Sequence, residues 1–123
     1  MEQRNIIKWR KYSEYAKLTI PSGEIWMNES ELVDLFGVFI PKLRNTIKGL
    51  YKEELVKSYE AERIIKKKEN LYVTVYNMEV VLLLAFHLNI YQARSVRREL
   101  MERISRDHKP FEVIITELNG IGN

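Results

Sequence analysis

The sequence predicts an α+β fold of the winged helix-turn-helix type, with an N-terminal β-hairpin and C-terminal helices. Three observations lead there. Two segments with helical apolar spacing meet at Gly37, and two β-rich segments follow them around a basic connection. The sign of the charge also reverses between the helical segments. Over residues 18–37 the charged side chains are Glu24, Glu29, Glu31 and Asp34, whereas over residues 38–52 they are Lys42, Arg44, Lys48 and Lys52.

Residues 5–12 alternate weakly between apolar and polar types and are compatible with either a strand or a short helix. Lys17-Leu-Thr-Ile20, Pro21-Ser-Gly23 and Glu24-Ile-Trp-Met27 read as strand, turn and strand. The turn assignment has a mechanism, because proline presets a turn dihedral and glycine accepts positive φ. Asn28 is placed to cap a helix by accepting from the free amides of its first turn. Glu29 and Glu31 lie near the positive end of that helix's dipole. Leu32, Leu35 and Phe36 share one face, and Gly37 ends the helix. Pro41 suits the first turn of a second helix, where its missing N–H would lack an intrahelical partner anyway. Leu43, Ile47 and Leu50 give this helix an inward stripe.

Residues 53–59 read as a turn or short helix. Arg63-Ile-Ile-Lys66 and Leu71-Tyr-Val-Thr-Val75 then flank Lys67-Lys68-Glu69-Asn70, the pattern of a β-hairpin with a basic tip. Its arms are rich in β-branched and aromatic residues, which pack well on a pleated surface. Asn77 caps a strongly apolar helix over 78–88, in which Glu79 is the only residue charged at neutral pH. A longer helix over about 91–105 carries Arg98–Glu102, Glu99–Arg103 and Glu102–Arg106 at the i,i+4 spacing that supports an exposed helix. Residues 111–118 read as a last strand and 119–123 as a frayed end.

At 123 residues the chain has the length of one domain, and its 46% apolar share is that of a folded globular protein. The chain has no cysteine, which excludes disulfides, thiolate metal sites and a cysteine nucleophile. A net charge of +3 and an isoelectric point near 9.1 suit a polyanionic partner without demanding one. The most apolar run, residues 80–86, falls far short of the ~20 residues needed to span a bilayer. The N-terminus lacks the apolar core of a signal peptide. The expectation is therefore a cytoplasmic protein with no membrane association.

A helix, a turn, a second helix and a hairpin make a recognisable docking device. The second helix enters the DNA major groove while the first crosses the backbone. With its apolar stripe turned inward, the second helix would present Lys42, Arg44, Asn45, Lys48 and Lys52 outward. The cations would bind phosphates, and Arg44 and Asn45 would be able to read base edges. Lys66, Lys67 and Lys68 on the wing would add phosphate contacts. Double-stranded DNA is the partner this reading implies.

Several of these segments resemble those of a known family. The stretch Glu24-Ile-Trp-Met-Asn-Glu-Ser-Glu-Leu-Val-Asp-Leu-Phe-Gly37 is similar to the opening W-L-T-Q-x-x-M-A-E-L-F-G of the RhuM-like virulence proteins. Val75-Tyr-Asn-Met-Glu-Val80 resembles that family's Y-Y-N-L-D-V-I stretch after a β-hairpin. Leu43, Ile47 and Tyr51 fall where the family keeps the apolar face of its second helix, and Asn89 and Arg97 also match. The resemblance spans about residues 23–104. These are bacterial proteins associated with mobile elements, and similar segments precede Fic domains. The resemblance implies a DNA-binding-like domain of poorly defined biochemical role, and together with the order of elements it leads to the expectation of a transcriptional-regulator-like DNA-binding protein.

The chain departs from that pattern at Val38, Phe39, Ile40 and Pro41, where the family places charged and small polar residues. Apolar residues at this edge suit a protein interface better than a phosphate contact. An alternative expectation is thus an interaction module that pairs with a second copy or a partner protein through Val38, Phe39 and Ile40. No metal or cofactor is expected. Of the two histidines, His87 reads as a hydrogen-bonded structural residue and His108 as a loop residue. The interleaved glutamates make Arg94, Arg97 and Arg98 an ordinary solvated face. Without a paired acid–base cleft or a Gly-rich phosphate loop, the expectation is a non-enzyme.

Overall fold

The computed structural model describes residues 4–107. Its elements run β1 (Lys8–Lys11), β2 (Ala16–Thr19), β3 (Trp26–Asn28), α1 (Glu29–Phe36), α2 (Ile40–Lys52) and α3 (Ser58–Ala61). They continue through β4 (Glu62–Lys68), β5 (Leu71–Asn77), α4 (Met78–His87) and α5 (Tyr91–Asp107). The domain is α+β, with an N-terminal hairpin, a helix-turn-helix followed by a second hairpin, and two C-terminal helices. The expected strand over 111–118, the frayed end and His108 lie outside the described residues.

The first hairpin is not the one expected. Residues 17–20 and 24–27 do both contribute strands, but these do not pair with each other. β2 pairs antiparallel with β1, in the register Trp9↔Leu18 and Arg10↔Lys17. β3 instead joins a three-stranded sheet in the order β3-β5-β4. The ambiguous N-terminal segment is thereby resolved as a strand. Trp9 explains its choice: its indole N–H donates to the Leu35 carbonyl at 2.9 Å, near the end of α1. That bond satisfies one of the carbonyls a helix C-terminus leaves open.

Both strand-to-helix junctions use the same device. Asn28 ends β3 and its side chain accepts from the Glu31 amide, while the Glu31 carboxylate accepts from the Asn28 amide, forming a reciprocal capping box. Arg4 clamps that carboxylate from outside, with contacts of 2.6 and 2.9 Å. Asn77 ends β5 and accepts from the Val80 amide. Because β3 and β5 run antiparallel, the register Trp26↔Asn77 and Asn28↔Val75 sets the two junctions at opposite ends of their short ladder.

One apolar cluster unites the elements. Leu32, Leu35 and Phe36 from α1 meet Leu43, Ile47 and Leu50 from α2, all of them buried. Val80, Val81, Leu84 and Ala85 of α4 lie beneath them, and Ala93, Val96 and Leu100 of α5 close the other side. α4 is apolar around most of its circumference, as a helix packed between neighbours requires. Each large aliphatic side chain so buried contributes roughly 1.5–3 kcal/mol by removal from water. The outcome is a rigid base under α2.

Candidate nucleic-acid interface

The turn between α1 and α2 is built from Gly37. Its φ of +66° is left-handed, a conformation open to glycine at little cost, and its N–H returns to the Val33 carbonyl. Gln92, from the start of α5, donates to the carbonyls of Asp34 and Leu35 at 3.1 and 2.8 Å. A Cβ at Gly37 would meet the Gln92 Oε1 at 2.5 Å, so the turn and this brace occupy the same space.

α2 then runs for 13 residues with Pro41 in its first turn. Lys42, Arg44, Asn45, Lys48 and Lys52 are all exposed, and the helix carries no acidic residue. At 3.6 residues per turn, Lys48, Asn45 and Lys52 occupy the middle of the outward arc, with Arg44 and Lys42 at its margins. Gly49 lies on the same arc, and a Cβ built there would meet nothing within 4 Å. A glycine within a helix costs about 0.5–1 kcal/mol relative to alanine. No neighbour excludes a side chain at Gly49, so the space beside it on this arc is open.

Arg44 occupies a different position from the one its charge suggests. It forms a two-pronged pair with Glu29 of α1, with Nε and a terminal nitrogen at 2.7 and 2.9 Å from the carboxylate oxygens. The hydrogen bonds from Arg44 hold the Glu29 carboxyl below its ordinary range, against a smaller opposing effect of burial. The charge reversal seen along the chain is therefore not a separation of charge in space at this point. The helix-two cation at the α1 side is already engaged, whereas Lys42, Lys48 and Lys52 make no ion pair among the described residues.

The wing is coupled to α2 through Tyr51. Its hydroxyl donates to the Glu62 carboxylate at 2.6 Å, joining the last turn of α2 to the first residue of β4. Burial, reinforced by this bond, pushes the Tyr51 phenol well above its ordinary pKa. Tyr76, across the sheet from Glu62, is raised first by burial and then by the nearby negative charges of Glu62 and Glu29. At the base of β4, the Arg63 guanidinium covers the Trp26 ring at 4.1 Å, an arrangement in which the cation faces the negative ring surface.

The wing's turn is tighter than expected. β4 extends to Lys68, so only Glu69 and Asn70 form the tip, with Asn70 at φ +60°. Lys66, Lys67 and Lys68 belong to the strand end, where a register shift between Lys66 and Lys68 marks a bulge. Such a bulge re-aims side chains and protects a sheet edge from further pairing. Lys66 pairs loosely with Glu69 at 3.3 Å, while Lys67 and Lys68 are exposed.

The three apolar residues of the expected interface divide. Phe39 is 85% exposed and Ile40 42% exposed, but Val38 is only 8% exposed and belongs to the core. Val38 is withdrawn because it directly follows the Gly37 turn and packs under the helix pair; Phe39, as the N-cap of α2, projects outward. His87 lies at the exposed C-terminal end of α4, where Nδ1 contacts the Leu83 carbonyl at 2.9 Å. Arg97 lies over the Phe86 ring at 5.6 Å, while Arg94 and Arg98 are exposed.

Sequence reasoning missed Glu29 and Tyr51 as parts of this site. Tyr51 is signalled only as part of the apolar face that the resemblance gives the second helix, and Glu29 only as a first-turn acid. Among the described residues no group of three or more potential metal ligands exists, and no helix is long and apolar enough to cross a membrane. No protein-family model matches the chain, no curated protein is detectably similar to it, and no solved structure matches its fold.

Proposed function

We propose that this protein binds double-stranded DNA in the cytoplasm as a winged helix-turn-helix factor of the transcription-regulator kind, akin to the RhuM-like proteins of bacterial mobile elements. The observation that carries the reading is the outward arc of α2. Lys42, Asn45, Lys48 and Lys52 stand exposed on a helix without acids, backed by a fully packed apolar stripe. In this reading α2 enters the major groove and the cations contact phosphates. Asn45 reads a base edge, and Lys67 and Lys68 hold flanking phosphates. Arg44 reaches DNA only by exchanging its Glu29 partner.

Fluorescence anisotropy with a random duplex, titrated across salt, tests it. With roughly four of the cations Lys42, Lys48, Lys52, Lys67 and Lys68 on phosphates at once, the log–log slope is at least about −3.6 in steepness. Lys48→Ala with Lys52→Ala should flatten the slope by about 1.8. Absence of binding at low salt, or a slope unmoved by the double variant, overturns the proposal.

One observation favours a second reading, association with a second copy or a partner protein. Phe39 projects at the N-cap of α2 with most of its surface in water, and Ile40 extends the patch. Salt-tolerant self-association in ultracentrifugation, abolished by Phe39→Asp, would support this reading; a monomer at all concentrations would count against the homodimer.

A further inference from the structure

The hairpin of β1 and β2 carries a concentration of positive charge that the helix-turn-helix does not use. Lys8, Arg10, Lys11 and Lys17 are all exposed, and over residues 5–23 the only acid is Glu14 in the turn. None of the four cations makes an ion pair among the described residues.

The register shows how these charges are arranged. Trp9 lies opposite Leu18 and faces α1, to which its indole is bonded. Successive side chains on a strand alternate between faces. Arg10 and Lys17, directly opposite each other, therefore project from the other face, with Lys8 two residues along the same strand. Like charges directly opposite across a strand pair are destabilising. The groove between this hairpin, α1 and α5 is lined by Lys8 and Lys11 together with the acids Glu31, Asp34 and Glu99, whereas Arg10 and Lys17 do not line it. Among the described residues no acid forms an ion pair with either of them.

The turn is made to hold its shape. The Tyr12 amide donates to the Tyr15 carbonyl at 2.7 Å, and the two rings stack at 4.8 Å between centroids and 19° between planes. Aromatic cross-strand pairs of this kind stabilise a hairpin. The cations thus sit on a fixed, solvent-facing ribbon. Along β1, Lys8 and Arg10 are about 6.8 Å apart, a spacing similar to that of successive phosphates on a nucleic-acid strand.

We infer that the outer face of the β1–β2 hairpin is a second DNA contact, in which Lys8, Arg10 and Lys17 bind phosphates of the duplex backbone. A polyanion removes the repulsion between Arg10 and Lys17, so part of the binding energy is relief of a cost built into the free protein. The inference rests on the DNA-binding reading above, but it predicts separate quantities. Three added contacts steepen the wild-type salt slope from about −3.6 to about −6.3.

The test uses the full chain, the random duplex and the variant Lys8→Gln, Arg10→Gln, Lys17→Gln. The variant should flatten the slope by about 2.7 and leave the melting temperature unchanged or raised, since it deletes a like-charge pair. A merely structural role for these residues would lower the melting temperature instead. A wild-type slope near −3.6, or a variant that binds the duplex like wild type, overturns the inference while leaving α2 as the DNA contact. Loss of binding in the hairpin variant, with no effect of Lys48→Ala and Lys52→Ala, supports the hairpin and overturns the α2 reading. Absence of duplex binding at low salt overturns both. A variant that binds duplex normally but loses binding to phosphatidylserine vesicles overturns the inference in favour of a membrane surface.

Discussion

The turn of the helix-turn-helix can be tested through the space that Gly37 and Gln92 share. Gly37→Ala places a Cβ in a left-handed conformation, which costs roughly 1 kcal/mol for a residue with a side chain. The same Cβ would stand 2.5 Å from the Gln92 Oε1. A glutamine can swing away from such a contact, but only by abandoning the bonds it makes to Asp34 and Leu35. Each such hydrogen bond has a net worth of about 0.5–1.5 kcal/mol, and the bond to Asp34 is exposed enough for water to replace much of it. Gly37→Ala should therefore destabilise the protein by about 2–3 kcal/mol, and Gln92→Ala by about 1–2 kcal/mol. In the double variant the collision no longer exists, and Gly37→Ala should cost only its backbone strain, about 1 kcal/mol. Urea unfolding of the four proteins measures this cycle. Single-variant effects that add to within about 0.3 kcal/mol would refute the shared-space account, because independent sites add to that accuracy.

Two further outcomes follow from the ion pair and the wing brace. Glu29 has a folded-state pKa below its ordinary value, so its stabilising effect is present above the unfolded value of 4.5 and lost as pH falls through the folded one. Glu29→Gln should remove that part of the acid dependence, and by releasing Arg44 should steepen the DNA salt slope by about 0.9; parallel acid-unfolding curves for the two proteins would argue against the pair's role. Tyr51→Phe removes the donor to Glu62 and should cost about 1–2 kcal/mol in thermal or urea unfolding, whereas no loss would show that water replaces the hydroxyl fully.

Much of the helix-turn-helix was legible because its signals are local. Asn28 with Glu31 three residues on, Gly37 after the last buried position and Pro41 in the next first turn each act within a few residues. The stripe Leu43, Ile47 and Leu50 needs only the helical period. The same logic located Asn77 and the apolar helix after it. The exposed cations of α2 were legible for the same reason, since turning the stripe inward leaves Lys42, Arg44, Asn45, Lys48 and Lys52 outside.

Partnership was not legible. β2 could have met β3 across the Pro21–Gly23 turn, and local turn chemistry favoured it. Packing of Trp9 and Leu18 toward α1, and pairing of β3 with β5, outweighed that preference. Arg44 could not be known to face Glu29, 15 residues earlier, because that contact depends on the angle at which α1 and α2 cross. Val38 and Phe39 are adjacent apolar residues with opposite fates, and nothing in their types distinguishes the one that enters the core.

The sequence by itself thus determined where the helices begin and end, which faces they bury, and that a basic helix precedes a basic hairpin. Only the tertiary structure decided which strands pair, which cation is neutralised by Glu29, and that Arg10 and Lys17 stand opposite each other on one face. The physical reason is range. Capping, turn conformation and apolar period are set by neighbours along the chain, whereas strand register and ion pairing are chosen by the packing of the whole core.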